Sequence, residues 1–424
     1  MAKNVVLIDG CRTPYVKSGD VFNHVSVVEL GRVAVSETLA KTELDPNLLD
    51  EVILGNIGQP AEAANVSRVV ALRAGIPQHI PAYTVQRNCA SGMQSVAEAF
   101  DKIKANQGEV FMCGGIESMS NIPLLFSKRF ADIFASLARA KSIGQKMGVL
   151  MQLRLKDLKP TVAILQGLTD PVCGLNMGQT AEVLAKEYKV SREEQDKFAL
   201  LSHQKTIAAQ DKGLFQEEIV PLFLKDRAQR EDVGPRRSQT LEALAKLKPF
   251  FDRKHGTVTA GNSCPITDGA AVLLVTSEEK ARELKLEPLA RIVDYAFAGL
   301  DPSRMGLGPA FSTSKLLQKT KLDMTDIDLM EMNEAFAAQV IANERIFKNP
   351  ELQKKCGIDY PLSEINPNIL NVNGGAIALG HPVGSSGARL VLTLAKEMKR
   401  RNVKYGIATL CIGGGQGGAM LLER

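Results

Sequence analysis

Apolar positions near the start of the chain alternate between two rhythms. Short, nearly unbroken runs such as "VVLI" (Val5–Ile8) and "VFMC" (Val110–Cys113) read as strands buried on both faces. Between them, "SVVELGRVAVSETLAK" and "SGMQSVAEAFDKIKAN" place apolar residues every three or four positions, the pattern of amphipathic helices. "NVVLIDG", the end of "LLDEVILGNI", "AYTVQRN" and "EVFMCGGIE" are expected as strands, and "SRVVALRAG" as a further helix. Strand and helix alternating at this spacing predict a mostly parallel sheet covered by helices, an α/β fold.

The last third repeats the rhythm. "LARIVDYAFAG", "IDLMEMN" and "ILNVNGG" are expected strands, and "GPAFSTSKLLQKT", "EAFAAQVIANERIF" and "SGARLVLTLAKEMKRR" expected helices. "YGIATLCIGGG" and "GGAMLLE" close as a hairpin. The two ends read as two copies of one topology. Residues 1–121 with 248–278 form one half and 279–424 the other, with a helix-rich, charge-rich insertion over 122–247.

Composition narrows the class. With 424 residues, 45% hydrophobic and 23% charged, the chain has the makeup of a soluble globular protein with two or three structural units. Trp is absent and aromatics are 5%, which argues against a stacking surface for nucleic acid. The seven cysteines are scattered, with no C-x-x-C pair and no metal-ligand spacing, so no metal is expected and a reducing compartment fits. No signal or transit pattern precedes "NVVLIDG", and a cytoplasmic location is expected. The charge of +5 is unevenly spread. Residues 124–159 carry eight Lys/Arg against two Asp, which leaves the remainder near neutral. On a helix, Phe126, Phe130, Ile133, Phe134 and Leu137 share an arc of about 100° opposite Lys128, Asp132, Ser136 and Arg139.

The candidate chemistry collects at expected strand ends, where α/β sheets gather ligands. Cys89 lies in "QRNCASGMQ" before a helix, where N–H groups and the macrodipole favour a thiolate. Asn333 opens "NEAF", His381 stands between glycines in "GGAIALGHPVGSSGAR", and Cys411 ends a strand before "IGGG". Taken singly, each has an ordinary reading. Asn333 caps a helix, His381 bonds within a loop, the cysteines pack and the glycines turn. All four, each among small neighbours, point together to one site.

"NCASG", "NEAF", "GGAIALGHPVGSSG" and "CIGGGQG" resemble, in order, the four fingerprints of the thiolase family. "MGQTAEVLAKEYKVSREEQDKFALLSH" and "TVTAGNSCPITDGAA" resemble its loop domain and substrate loop. The resemblance spans the chain. It implies a five-layered αβαβα core of two βαβαβαββ halves with an inserted helical loop domain. It further implies cleavage of 3-ketoacyl-CoA by CoA, as in fatty-acid β-oxidation, with no cofactor beyond these substrates. Cys89 matches the nucleophile, Cys411 the acid–base, His381 the residue that activates Cys89 and donates to a thioester oxygen, and Asn333 the holder of a water at that oxygen. The backbone N–H groups of Cys89 and Gly413 match a second oxyanion hole. Met177, Leu244, Leu247, Ala260, Ser263 and Phe336 match a pantetheine tunnel, and Arg236 or Arg237 a CoA-phosphate contact.

The resemblance extends to assembly. It implies a homodimer or dimer of dimers pairing through the first half's sheet. The long segment after Pro123 is similar to that of thiolase subunits of oxidation complexes, which implies a hydratase/dehydrogenase partner. That segment is expected either to meet a membrane surface or partner, or to pack on the core as a lid over the acyl tunnel. Three positions depart from the family pattern: Asn333 where such subunits often carry His, Cys264 where Ser is usual, and Asn176 where short-chain enzymes often carry His. They bear on chain length and partner. The alternatives are an acetoacetyl-CoA thiolase working in the condensing direction, a decarboxylating ketoacyl synthase, for which a second active-site histidine is missing, and a catalytically silent acyl-CoA-binding subunit.

Overall fold

The computed structural model describes residues 3–424. Nine main strands are β1 (Val5–Arg12), β2 (Glu51–Gly55), β3 (Ala82–Val85), β4 (Val110–Glu117), β5 (Thr267–Ser277), β6 (Ala290–Gly299), β7 (Leu329–Met332), β8 (Tyr405–Ile412) and β9 (Gln416–Glu423). They are hydrogen-bonded in the order β7-β8-β9-β6-β1-β5-β4-β2-β3, and Val16–Lys17 adds a short strand beside β5.

Strand alternation builds the layers. In β1, Val5 and Leu7 face a central core while Val6 and Ile8 face an outer one. In β5, Ala271, Leu273 and Val275 turn inward and Ala270, Val272 and Leu274 outward. Both faces are apolar because both are covered by helices. The outer face of the first half carries α1 (Val27–Thr42) and α2 (Val66–Arg73). The central layer holds α3 (Ser91–Lys104) and a long helix, Val383–Arg401. Gly308–Thr320 and Ala337–Phe347 cover the far face of the second half. The two central helices approach closely. A Cβ on Gly92 would lie 2.7 Å from the Ala388 backbone nitrogen, so only glycine fits.

Two expectations need correction. The sheet is mixed rather than mostly parallel: only β2–β3, β2–β4 and β7–β8 run parallel. β5 enters from the opposite end and pairs antiparallel with both β1 and β4, a direction that no local apolar pattern encodes. "ILNVNGG" forms a single bridge rather than a strand. Asn371 takes a left-handed φ of 44° that interrupts the extended run, and its side-chain amide continues the pairing by bonding both the N–H and the carbonyl of Met332.

The insertion is tied to the first strand by a buried charge cluster. The Arg12 guanidinium donates to Glu218 (2.6 Å) and to both oxygens of Asp232 (2.6 and 2.8 Å). Asp232 also accepts from the Tyr15 backbone and Glu218 from Thr393. Within the insertion, Lys128–Arg139 is a helix whose Phe130 ring stacks on Phe126, just before the helix, at 4.5 Å and meets Phe134 tilted at 4.8 Å. Ile133 of that face is buried, but Phe126 and Phe134 remain about half exposed, with Leu124, Ile143, Met151 and Leu155 exposed nearby. The aromatic face does not close on the core. No helix among the described residues is long and apolar enough to cross a membrane.

The outermost strand of the first half, β3, leaves one backbone edge open beside the turn that carries Cys89, with Tyr83 and Val85 half-buried. Open edges are pairing templates. Light scattering is expected to give a mass of at least twice 45.9 kDa. A stable, active monomer would contradict pairing through this edge.

Candidate active site

Cys89 follows β3 in a tight turn. Asn88 takes a left-handed φ of 43°, which asparagine tolerates. Its side-chain amide donates to the Gly413 carbonyl at 2.7 Å, joining the turn of the first half to the hairpin of the second. Ser91 closes the turn by accepting from Arg87 N–H and donating to the Asn88 carbonyl. The helix begins at Ser91, so the thiol sits just outside its N-terminus, partly reachable from solvent. The N-terminal position does not by itself yield a thiolate. Burial pushes the Cys89 thiol up, opposed by the Gly413 N–H and by its own N–H. The thiol therefore keeps its proton at rest, and a base is needed to remove it.

Cys411 is the last but one residue of β8, on the face opposite Leu410 and Ile412, and packs with Met177, Ala335 and Phe336. Its thiol is held well above the ordinary cysteine range, first by burial, then by the charges of Cys89 and Cys264. Cys264 belongs to the same cluster and is pushed up to about 12, by burial and then by Cys89. Three thiols thus share one site. The third was legible only as a departure within "GNSCPITDG".

Asn333 does not cap a helix. The following helix begins at Ala337 with Phe336 before it, and both polar atoms of the buried Asn333 side chain lack any protein partner. Its backbone N–H bonds Thr409, which fixes it beside β8. His381 is likewise buried with Nε2 unpartnered, while Nδ1 meets Ser386 Oγ at 2.6 Å. Its backbone is tied to the substrate loop through Thr267 Oγ1 and Pro265 O. Burial, and then Arg389, holds the imidazole down at about 4, so it is neutral at pH 7. The same loop bridges to Phe336 through Ser263, so residues 263–267 join the Asn333 and His381 segments. Buried polar atoms normally find partners, and an unpartnered group of this kind awaits a water or a ligand.

The tunnel residues divide. Met177 Sδ would lie 3.3 Å from a Cβ on Gly413. Phe336 is buried and meets Phe251 edge-on, and Ser263 Oγ donates to Thr259 O. Leu244 and Leu247 press on Gly261, next to the exposed Ala260. Arg237 stands apart at the surface in a 2.7 Å ion pair with Asp211, while the Arg236 backbone donates to His203 Nδ1. No metal-holding group of His, Cys, Asp and Glu exists among the described residues.

Sequence reasoning missed two buried carboxylates. Glu334 accepts from Ser202, Asn371 and Ile377 N–H, joining "NEAF" to the insertion and to the "GGAI" turn. Glu117 accepts from Asn56 Nδ2 and from the N–H groups of Ile57, Gly58 and Gly384, fastening the start of the Val383–Arg401 helix to the end of β4. Burial pushes its carboxyl up to about 7 against these donors. Glu117→Gln would turn an amide N–H₂ toward backbone N–H groups. A loss of about 2–3 kcal/mol is expected in denaturant unfolding, and wild-type stability would show that these bonds are dispensable.

The chain matches the thiolase N-terminal domain model over residues 5–279 and the thiolase C-terminal domain model over 286–424, and it belongs to the thiolase family. It is 38% identical to 3-ketoacyl-CoA thiolases of Yersinia enterocolitica and Serratia proteamaculans, over 99% of this chain and 96% of each relative. Among solved structures it is similar to a Bacillus anthracis acetyl-CoA acetyltransferase, with TM-score 0.88 and 39% identity over 100% of this chain and 99% of the other. It is also similar to human mitochondrial 3-ketoacyl-CoA thiolase in complex with CoA, with TM-score 0.86 and 37% identity over 100% and 98%. These likenesses establish the five-layered thiolase fold and an acyltransferase class.

Proposed function

We propose that the protein cleaves 3-ketoacyl-CoA with CoA, giving acetyl-CoA and a shortened acyl-CoA, in fatty-acid oxidation. The observation that carries this is the trio of unpartnered buried atoms, His381 Nε2 in a turn between two helices and Asn333 Nδ2 and Oδ1 after β7, in the motifs that accompany Cys89 and Cys411. His381 Nε2 takes the Cys89 proton, and the thiolate attacks the 3-keto carbon. The N–H groups of Cys89 and Gly413 hold the resulting alkoxide. The Cα–Cβ bond breaks, leaving the acyl group on Cys89, and Cys411 protonates the acetyl-CoA enolate at carbon. Cys411 then takes the thiol proton of incoming CoA, which collects the acyl group, and Cys89 recovers its proton from His381. His381 Nε2–H and a water held by Asn333 donate to the thioester oxygen. The tunnel positions Met177, Leu244, Leu247, Ala260, Ser263 and Phe336 contact pantetheine, and Arg237 reaches a CoA phosphate once released from Asp211.

Condensation of two acetyl-CoA molecules is the second reading, favoured by the likeness to the Bacillus anthracis enzyme. CoA-dependent cleavage across short, medium and long 3-ketoacyl-CoAs separates them. Turnover that rises with chain length supports the oxidative reading, and activity confined to acetoacetyl-CoA supports the condensing one. No turnover with any of them would refute both.

We place the enzyme in the cytoplasm, with segment 124–159 resting on an anionic membrane surface. Its exposed Leu124, Phe126, Phe134 and Leu155 lie among eight basic residues, which suits a negatively charged lipid face. Co-sedimentation with anionic vesicles at low salt is expected, weakening with salt and with Phe126, Phe130 and Phe134 changed to Ser. Indifference to such vesicles, with capture by a hydratase/dehydrogenase subunit instead, would assign the face to that partner.

A further inference from the structure

Ser386 is the fourth residue of the Val383–Arg401 helix, fully enclosed, and no step above uses it. Its hydroxyl has two polar neighbours: the Pro382 carbonyl at 3.0 Å and His381 Nδ1 at 2.6 Å. A serine hydroxyl has one hydrogen and can accept as well as donate. A carbonyl can only accept. With the hydrogen on Pro382 O, Ser386 Oγ accepts from Nδ1–H, and the His381 Nε2 lone pair faces the site. With the hydrogen on Nδ1 instead, Nε2 carries the proton and has nothing to take from Cys89.

We propose that Ser386 is the positioning residue of His381: it holds the imidazole in the Nδ1–H form and stays its acceptor when Nε2 takes the Cys89 proton. The imidazolium needs an acceptor at Nδ1, since both ring nitrogens are then donors. The same Ser386 hydrogen bond serves the neutral ring and the imidazolium, so nothing reorients as the proton moves. No other protein atom within hydrogen-bond reach of Nδ1 offers this, and the burial of Ser386 keeps water from replacing it. The proton-acceptor role rests on the thiolase reading above, whereas the tautomer can be read in the free protein.

The neighbouring Ser385 supplies the control. It is equally buried, and its hydroxyl meets Tyr15 Oη at 2.7 Å rather than His381. Both serines would be changed singly to alanine, and the ring nitrogens of the five histidines followed by 15N NMR, with His381→Asn assigning the signal. Resting wild-type protein is expected to show Nδ1–H on His381. Ser386→Ala is expected to mix the tautomers and lower kcat about ten- to a hundredfold, with KM within about twofold. Ser385→Ala is expected to keep the His381 signal and kcat within about twofold. An Nε2–H signal in resting wild type would overturn the proposal, as would Ser386→Ala with unchanged signal and turnover. If Ser386→Ala does not fold, the wild-type spectrum decides alone. Failure of wild type to cleave any 3-ketoacyl-CoA would count against the thiolase reading and leave the tautomer result standing.

Discussion

Cys89→Ala is expected to lower CoA-dependent cleavage by at least about 10⁴-fold, because the reaction passes through a thioester on that sulfur. Stability should change little, since Cys89 is partly exposed and its side chain makes no hydrogen bond that holds the turn. Asn88, Ser91 and Arg87 hold it without the sulfur. Steady-state assays with matched unfolding curves measure both. Retained turnover would move the nucleophile elsewhere, with Cys264 the next candidate as the third thiol of the site. A loss of activity with loss of fold would make Cys89 structural.

Cys411→Ser is expected to reduce kcat by about 10²–10⁴-fold, the range of a single positioned acid–base group. The replacement nearly keeps volume and adds a single hydroxyl to a buried strand position, so the fold should persist at some cost in stability. A hydroxyl, however, gives up its proton far less readily than a thiol whose reference pKa of about 8.5 lies near that of CoA. Acylation of Cys89 by a simple acyl-CoA should survive, slowed, because the departing CoA thiolate, unlike the enolate carbon, can leave without a proton from Cys411. Rapid-quench measurement of acyl-enzyme against full turnover separates the two steps. Wild-type turnover would return Cys411 to the role of a small core residue.

The apolar rhythm made most of the layers legible. Val5–Ile8 and Val110–Cys113 lack alternation because helices cover both faces, and that absence signals a doubly covered sheet. Strand direction was not legible. β5 runs antiparallel to both neighbours because the chain returns from the insertion at the opposite end, a consequence of connectivity that no short pattern carries. "ILNVNGG" has a strand's composition, yet Asn371 breaks it with a left-handed backbone and substitutes its own amide. At the site, Cys89, Asn333, His381 and Cys411 stood out by their glycine-rich surroundings. Glu117, Glu334 and Ser386 did not, because charged and hydroxyl residues at element ends usually face water. Their burial appears only once distant segments meet over them. At Cys89, burial works against the thiolate that the helix start favours, an effect of packing that no local sequence pattern carries.

The central claim is that an acyl group is carried on one particular cysteine among seven. Brief incubation with a saturated acyl-CoA, acid quench and peptide mass mapping tests it most directly. The account predicts one acyl adduct, on the peptide containing Cys89, absent from Cys89→Ala and removed by added CoA with return of acyl-CoA. An adduct on Cys264 or Cys411 in wild-type protein, or none while cleavage proceeds, would contradict it.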